Sequence, residues 1–137
     1  MSHHHDAQDI ADVLVRYATG IDSRDWDLFR TVFTEDCTID YGPVGRWNGI
    51  EELVAFMVEA HLGAGLTLHR ITNVVAQVDG ATGDTATATA YVDALLMNPE
   101  GTGGVQAAGS YEDRLVRTTT GWRISDRVFT PARFASV

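Results

Sequence analysis

An α+β domain is the fold class that the pattern of apolar residues predicts. Three segments in the first half carry apolar residues at helical spacing. Four long strand-like runs fill the second half, separated by turn-rich stretches. A length of 137 residues fits one domain with room for a real core.

Ile10, Val13, Leu14, Tyr17 and Ile21 predict a first helix from about Asp6 to about Ile21. Asp6 and Asp9 sit near its start, where acids suit the helix dipole. Asp22 or Ser23 is placed to cap a second, short helix holding Trp26, Phe29, Val32 and Phe33. "CTIDYG" reads as a strand, ended by the turn residues of "GPVG". Asn48-Gly49 leads into a third helix with Ile50, Leu53, Val54 and Met57 on one face. "TLHRITNVVAQVDG", "DTATATAYVDALLMN", "GGVQAAGSYEDRLVRT" and "GWRISDRVFTPARF" are the four long strands. The turns "DGATGD", "PEGTGG" and "TTTG" join them, so neighbours are expected to pair antiparallel. The helices should then cover one face of a strongly curved sheet. Residues 1–8 are expected to form a flexible tail, and residues 9–134 the single domain.

Composition narrows the function. Hydrophobic residues make up 45% and charged residues 21%, ordinary for a globular protein. No apolar run approaches the ~20 residues of a membrane span. The start lacks the basic-then-apolar layout of a signal peptide, which favours the cytoplasm and no membrane partner. Net charge is −9, from 10 Lys+Arg against 19 Asp+Glu, which disfavours nucleic acid. The single cysteine, Cys37, rules out a disulfide within the chain and reads as a small buried hydrophobe rather than a nucleophile. His3-His4-His5 has no other ligand nearby and reads as a tag remnant or tail, so no metal site is expected.

No phosphate-binding glycine loop, H-E-x-x-H or G-x-S-x-G elbow is present. His69 shares a strand face with Ile71 and Asn73 by alternation. A lone histidine there is more often structural than catalytic. Tyr17 falls on the apolar stripe of the first helix, where a core tyrosine is the ordinary reading. Asp22 lies roughly 140° around an ideal helix from Tyr17, so spacing alone does not bring the two together. His61 ends the third helix, where a histidine suits the dipole. Tyr41, Tyr91 and Tyr111 lie in strands and by themselves suggest packing. One acid, one imidazole and several phenols around a concave sheet would together suit acid–base chemistry.

"YATGIDSRDWDLFRTVFTEDCTIDYG", then W-N-G before a helix, "HRITNV" on a long strand, and "GSYEDRLVR…GWRI" resemble the SnoaL-like families. These belong to the nuclear-transport-factor-two-like superfamily, and the resemblance runs from about Asp9 to Phe134. It implies a conical α+β barrel: three helices packed in a curved mixed sheet around a deep apolar pocket. The early strand near Cys37–Tyr41 would then join the sheet beside a later one. D-S-R-D-W-D (of the pattern D-S-K/R-D-W-D), I-D-Y and a histidine at the start of a long strand resemble scytalone dehydratases, matching Asp22, Tyr41 and His69. Two departures stand out: Ile21 replaces a tyrosine, and a second histidine, expected near Asn98, is absent. The Tyr17, Asp22, His69 set is similar to bile-acid dehydratases. Ketosteroid isomerases share Tyr17, but their general base falls near Tyr41.

The resemblance implies a cofactor-free dehydratase or isomerase working next to a carbonyl. His69 would be the base, Asp22 its orienting carboxylate, and Tyr17 with Tyr41 the donors to a developing oxyanion. Phe33, Phe56, Asn73, Asn98 and Tyr111 would contact a small, mostly apolar or polycyclic substrate, with Val54, Met57, Leu66 and Leu95 as further walls. A polyketide cyclase-like activity and a non-catalytic binding or assembly module are the alternatives. The "TATATA" run at Thr85–Ala90 suits close packing on a sheet surface, and with the resemblance it predicts a homodimer or higher assembly.

Overall fold

A computed structural model describes residues 5–137. Helix α1 spans Asp6–Asp22 and buries Ile10, Val13, Leu14, Tyr17 and Ile21, the stripe that the spacing defines. It starts at Asp6, where the spacing places it, so residues 6–8 are helix rather than part of the tail expected for residues 1–8. Asp6 accounts for the difference: it is buried and accepts hydrogen bonds from the Arg117 guanidinium and from Trp122 Nε1, both distant in sequence. Of the terminal histidines, only His5 lies among the described residues.

Helix α2 is shorter than expected, Trp26–Arg30, and Asp25 caps it by accepting from the Leu28 N–H at 3.0 Å. Neither Asp22 nor Ser23 is the cap. Val32 and Phe33 lie beyond this helix, and Phe33 opens strand β1, Phe33–Asp40. A 3-10 turn at Gly42–Val44 and a short strand β2, Arg46–Asn48, lead to α3, Ile50–His61. Four long strands follow: β3 (Thr67–Val78), β4 (Thr85–Met97), β5 (Gly104–Thr118) and β6 (Gly121–Ser136).

These strands form one six-stranded sheet in the order β2-β1-β6-β5-β4-β3. The last four make an antiparallel meander. β1 joins it by running parallel to β6, with Thr38 opposite Asp126 and Asp40 opposite Val128. Register shifts bend the sheet: in β3 between Thr72 and Val75, and between β5 and β6 at Ala108/Gly109 and Arg114/Leu115. The concave face packs on α1 and α3. In β4, Ala86, Ala88 and Ala90 face this core, while Thr85, Thr87 and Thr89 face outward. These small inward side chains are part of the buried core. No helix among the described residues is long and apolar enough to cross a membrane.

Candidate active site

Asp22 is the last residue of α1, and His69 sits three residues into β3. Contact between these two elements brings the side chains together. His69 Nδ1 lies 2.7 Å from Asp22 Oδ1, and the His69 backbone N–H donates to Oδ2 at 2.8 Å. Thr67 Oγ1 also donates to Oδ1, at 3.0 Å. Burial opposes the Asp22 charge, but the hydrogen bonds from His69 and Thr67 outweigh it and hold the carboxyl below its ordinary value. An ionised carboxylate only accepts, so Nδ1 carries the proton and a neutral His69 leaves Nε2 with a bare lone pair.

The His69 ring is part of the wall of a cavity of about 490 Å³, a size that suits a small organic ligand. Val44, Phe56, Met57, Val92, Leu96 and Phe129 supply much of the apolar lining. Tyr17, Tyr41 and Tyr111 form a buried phenol cluster beside the imidazole. Tyr17 Oη is 2.7 Å from Tyr41 Oη, Tyr111 Oη donates to Tyr17 Oη at 3.4 Å, and the Tyr17 and His69 rings meet edge-on at 6.2 Å. Three hydroxyls joined by two bonds leave one proton to donate elsewhere. It belongs to Tyr41 or Tyr17, depending on which of them donates to the other. Desolvation pushes all three phenols up, so they stay protonated as donors.

Arg127 lies behind these rings. Its guanidinium is 4.4 Å from the Tyr17 ring centroid and 3.7 Å from that of Tyr111. Asp113, its direct cross-strand partner, accepts from Nε at 2.8 Å and from Nη2 at 2.9 Å. Burial disfavours the Arg127 charge, but Asp113 more than compensates and keeps it protonated. A fixed cation against two ring faces attracts electron density and sharpens the phenols as donors.

A family model described as a SnoaL-like domain matches residues 2–128. The chain belongs to the SnoaL-like domain family. The uncharacterized protein Rv2910c of Mycobacterium tuberculosis is 34% identical over 131 residues, covering 91% of this chain and 84% of that one. The solved Kfla4162 protein of Kribbella flavida superposes with a TM-score of 0.88 at 28% identity, over 98% of this chain and 95% of the other. A Novosphingobium aromaticivorans protein proposed as a scytalone dehydratase gives a TM-score of 0.83 at 18% identity, over 93% and 85% of the two chains. That last likeness concerns the fold, the cone of the nuclear-transport-factor-two-like superfamily.

In this SnoaL-like domain Tyr17, His69, Tyr41, Tyr111, Phe56 and Asn98 line the cavity, and Asp22 stands behind His69 rather than in the wall. Asn98 spends its amide on Thr102 within a turn. Phe33 is buried beneath Tyr17, with ring centroids 6.0 Å apart, and does not reach the cavity. Asn73 does not either. It occupies the β3 bulge with φ 54 and is exposed, because the extra residue reverses the inward–outward alternation. Val54, Leu66 and Leu95 are likewise absent from the lining, and Tyr91 faces outward. Cys37 is buried with its thiol pushed up to about 11 by desolvation, which matches the hydrophobe reading. Among the described residues no group of three or more His, Cys, Asp or Glu side chains is arranged to hold a metal.

Sequence reasoning passed over Asp113 and Arg127, although a charge between inward-facing Tyr111 and Leu115 breaks a strand's alternation and was a usable signal. His61 ends α3 as expected, but its surroundings differ from those of an exposed cap. It is buried in the cavity wall, and its Nδ1 donates to the Met57 carbonyl at 2.7 Å. Desolvation lowers its proton affinity, so it is a neutral ring rather than a cationic helix cap. The unfolded chain therefore takes up this proton first as pH falls below the ordinary histidine value of 6.5. Stability should drop through that range, down to the lower folded value. His61→Phe should lose less stability than the wild type between pH 7 and pH 5, read by urea titration at each pH.

Proposed function

We propose that the protein is a cofactor-free dehydratase or isomerase acting next to a carbonyl on a small, mostly apolar substrate. The Asp22–His69 pair at the wall of an apolar cavity carries this reading. His69 Nε2 takes the acidic C–H proton, and the C–H electrons move onto the carbonyl oxygen. The free phenol proton of the Tyr17–Tyr41 pair meets that oxygen as charge develops. The proton on Nε2 then leaves with a departing β-hydroxyl as water, or returns to another carbon in an isomerisation. No redox step is needed. Asp22 steadies the imidazolium in between. A positioned base of this kind is typically worth about 10²–10⁴ in rate.

A non-catalytic binding module would use the same apolar walls, but it has no need for a carboxylate held against an imidazole. Deuterium exchange separates the two. A panel of cyclic ketones and β-hydroxyketones in D₂O should gain deuterium at the α-carbon with wild-type protein and far more slowly with His69→Ala. Equal exchange in both proteins, or none across the panel, counts against catalysis.

We also propose a homodimer formed through the outer sheet face. Val75, Thr89, Glu112 and Val128 sit side by side across β3 to β6 and all are exposed. Short uncharged side chains flank this row at Thr85 and Thr87, and Tyr91 adds an exposed aromatic. Light scattering at micromolar concentration should give twice the monomer mass, and Val75→Lys should reduce it. A monomer throughout would rule this out.

A further inference from the structure

Arg24 belongs to the D-S-R-D-W-D segment but has no part in the chemistry set out above. Its backbone adopts φ 56, a left-handed conformation that few side chains take. Three contacts of its guanidinium hold it there. Nη1 donates to the Ile21 carbonyl at 2.8 Å and to Thr67 Oγ1 at 2.7 Å, and Nη2 donates to the Gly65 carbonyl at 2.8 Å. One side chain thus ties the end of α1 to the loop before β3 and to the first residue of β3. Gly65 is itself fixed: a Cβ there would lie 2.2 Å from the Asn98 carbonyl oxygen, and its N–H donates to the Met97 carbonyl.

The Thr67 hydroxyl is buried and has one proton to give. Arg24 occupies a lone pair of that oxygen, so the proton is directed to Asp22 Oδ1. Asp22 is consequently held on both oxygens, by Thr67 and His69. A carboxylate fixed in rotamer and plane fixes the plane of the imidazole it receives. We propose that Arg24 is a positioning residue that acts through Thr67 to set the Asp22 carboxylate, and so aims His69 Nε2 into the cavity. The strained backbone at Arg24 fits this role, because strain persists where surrounding contacts over-determine it.

The proposal rests on the reading of Asp22 and His69 as the acid–base pair, so the test has two arms. The first is the NMR signal of the His69 Nδ1 proton, which reports the Asp22 hydrogen bond whatever the substrate. It should be sharp and protected from exchange with water in the wild type, broadened in Thr67→Val and Arg24→Gln, and restored in Thr67→Ser. The second arm is α-proton exchange on the ketone panel, which should fall about tenfold in Thr67→Val, the worth of one hydrogen bond to a charged group. Arg24→Gln should add little on top of Thr67→Val, because the two act in series. If the variants lose thermal stability but keep the signal sharp and the exchange rate unchanged, Arg24 is only a loop anchor and the proposal falls. If the signal responds as expected while the wild type exchanges no substrate proton, the positioning stands and the acid–base function alone is lost.

Discussion

Asp22→Asn should lower turnover by about 10²–10⁴-fold while leaving thermal stability unchanged or slightly raised. Asparagine still accepts from Thr67, but it cannot balance a protonated imidazole. It can also turn its NH₂ toward Nδ1, which would force the proton onto Nε2 and remove the base's lone pair. His69→Ala should show a comparable loss. The double variant should be scarcely worse than either single one, because the two side chains act as a unit. Asp25→Ala is the control, since Asp25 rather than Asp22 caps α2. It should cost about 0.5–2 kcal/mol of stability and leave turnover alone. Turnover and thermal midpoint for the four variants check this. Full activity in Asp22→Asn would remove Asp22 from the mechanism.

Asp113→Ala should destabilise the fold by about 3–5 kcal/mol, because it strands the Arg127 charge in the interior. The Arg127 and Asp113 side chains are both fully buried, so water cannot take the partner's place. Replacing both, as Asp113→Leu with Arg127→Met, should recover most of that loss, since well-packed apolar residues often substitute for a buried pair at little cost. Activity should not recover with it. The phenols would keep their positions but lose the cation packed against Tyr17 and Tyr111. Urea denaturation alongside α-proton exchange reads both effects. A double variant with wild-type exchange would show that the pair serves folding alone.

The fold was largely legible because its signals are local. The α1 stripe needed only a period near 3.6, and β4 only strict alternation. The parts that were misread depend on contacts between distant segments. The expected tail of residues 1–8 ends earlier, because Arg117 and Trp122 hold Asp6 against the core. Asn73 left the cavity because a single bulge reversed the face of every later residue in β3. His61 ends α3 as expected, but the cavity closes over it and desolvation keeps it neutral. The Asp22–His69 pair was named from the family resemblance, not from spacing, which put Asp22 well away from the Tyr17 face.

By itself the sequence determined the helix stripes, the four long strands, their turns and the presence of one acid, one strand imidazole and several phenols. Each of these depends on residues a few positions apart, where backbone sterics and periodicity act directly. Only the tertiary structure decided which of those groups share a cavity. The parallel pairing of β1 with β6, the cross-strand match of Asp113 with Arg127, and the meeting of Asp22 with His69 each join segments separated by tens of residues. Such pairings are selected by the packing of the whole core, because burying a polar group is tolerable only where another segment brings its partner.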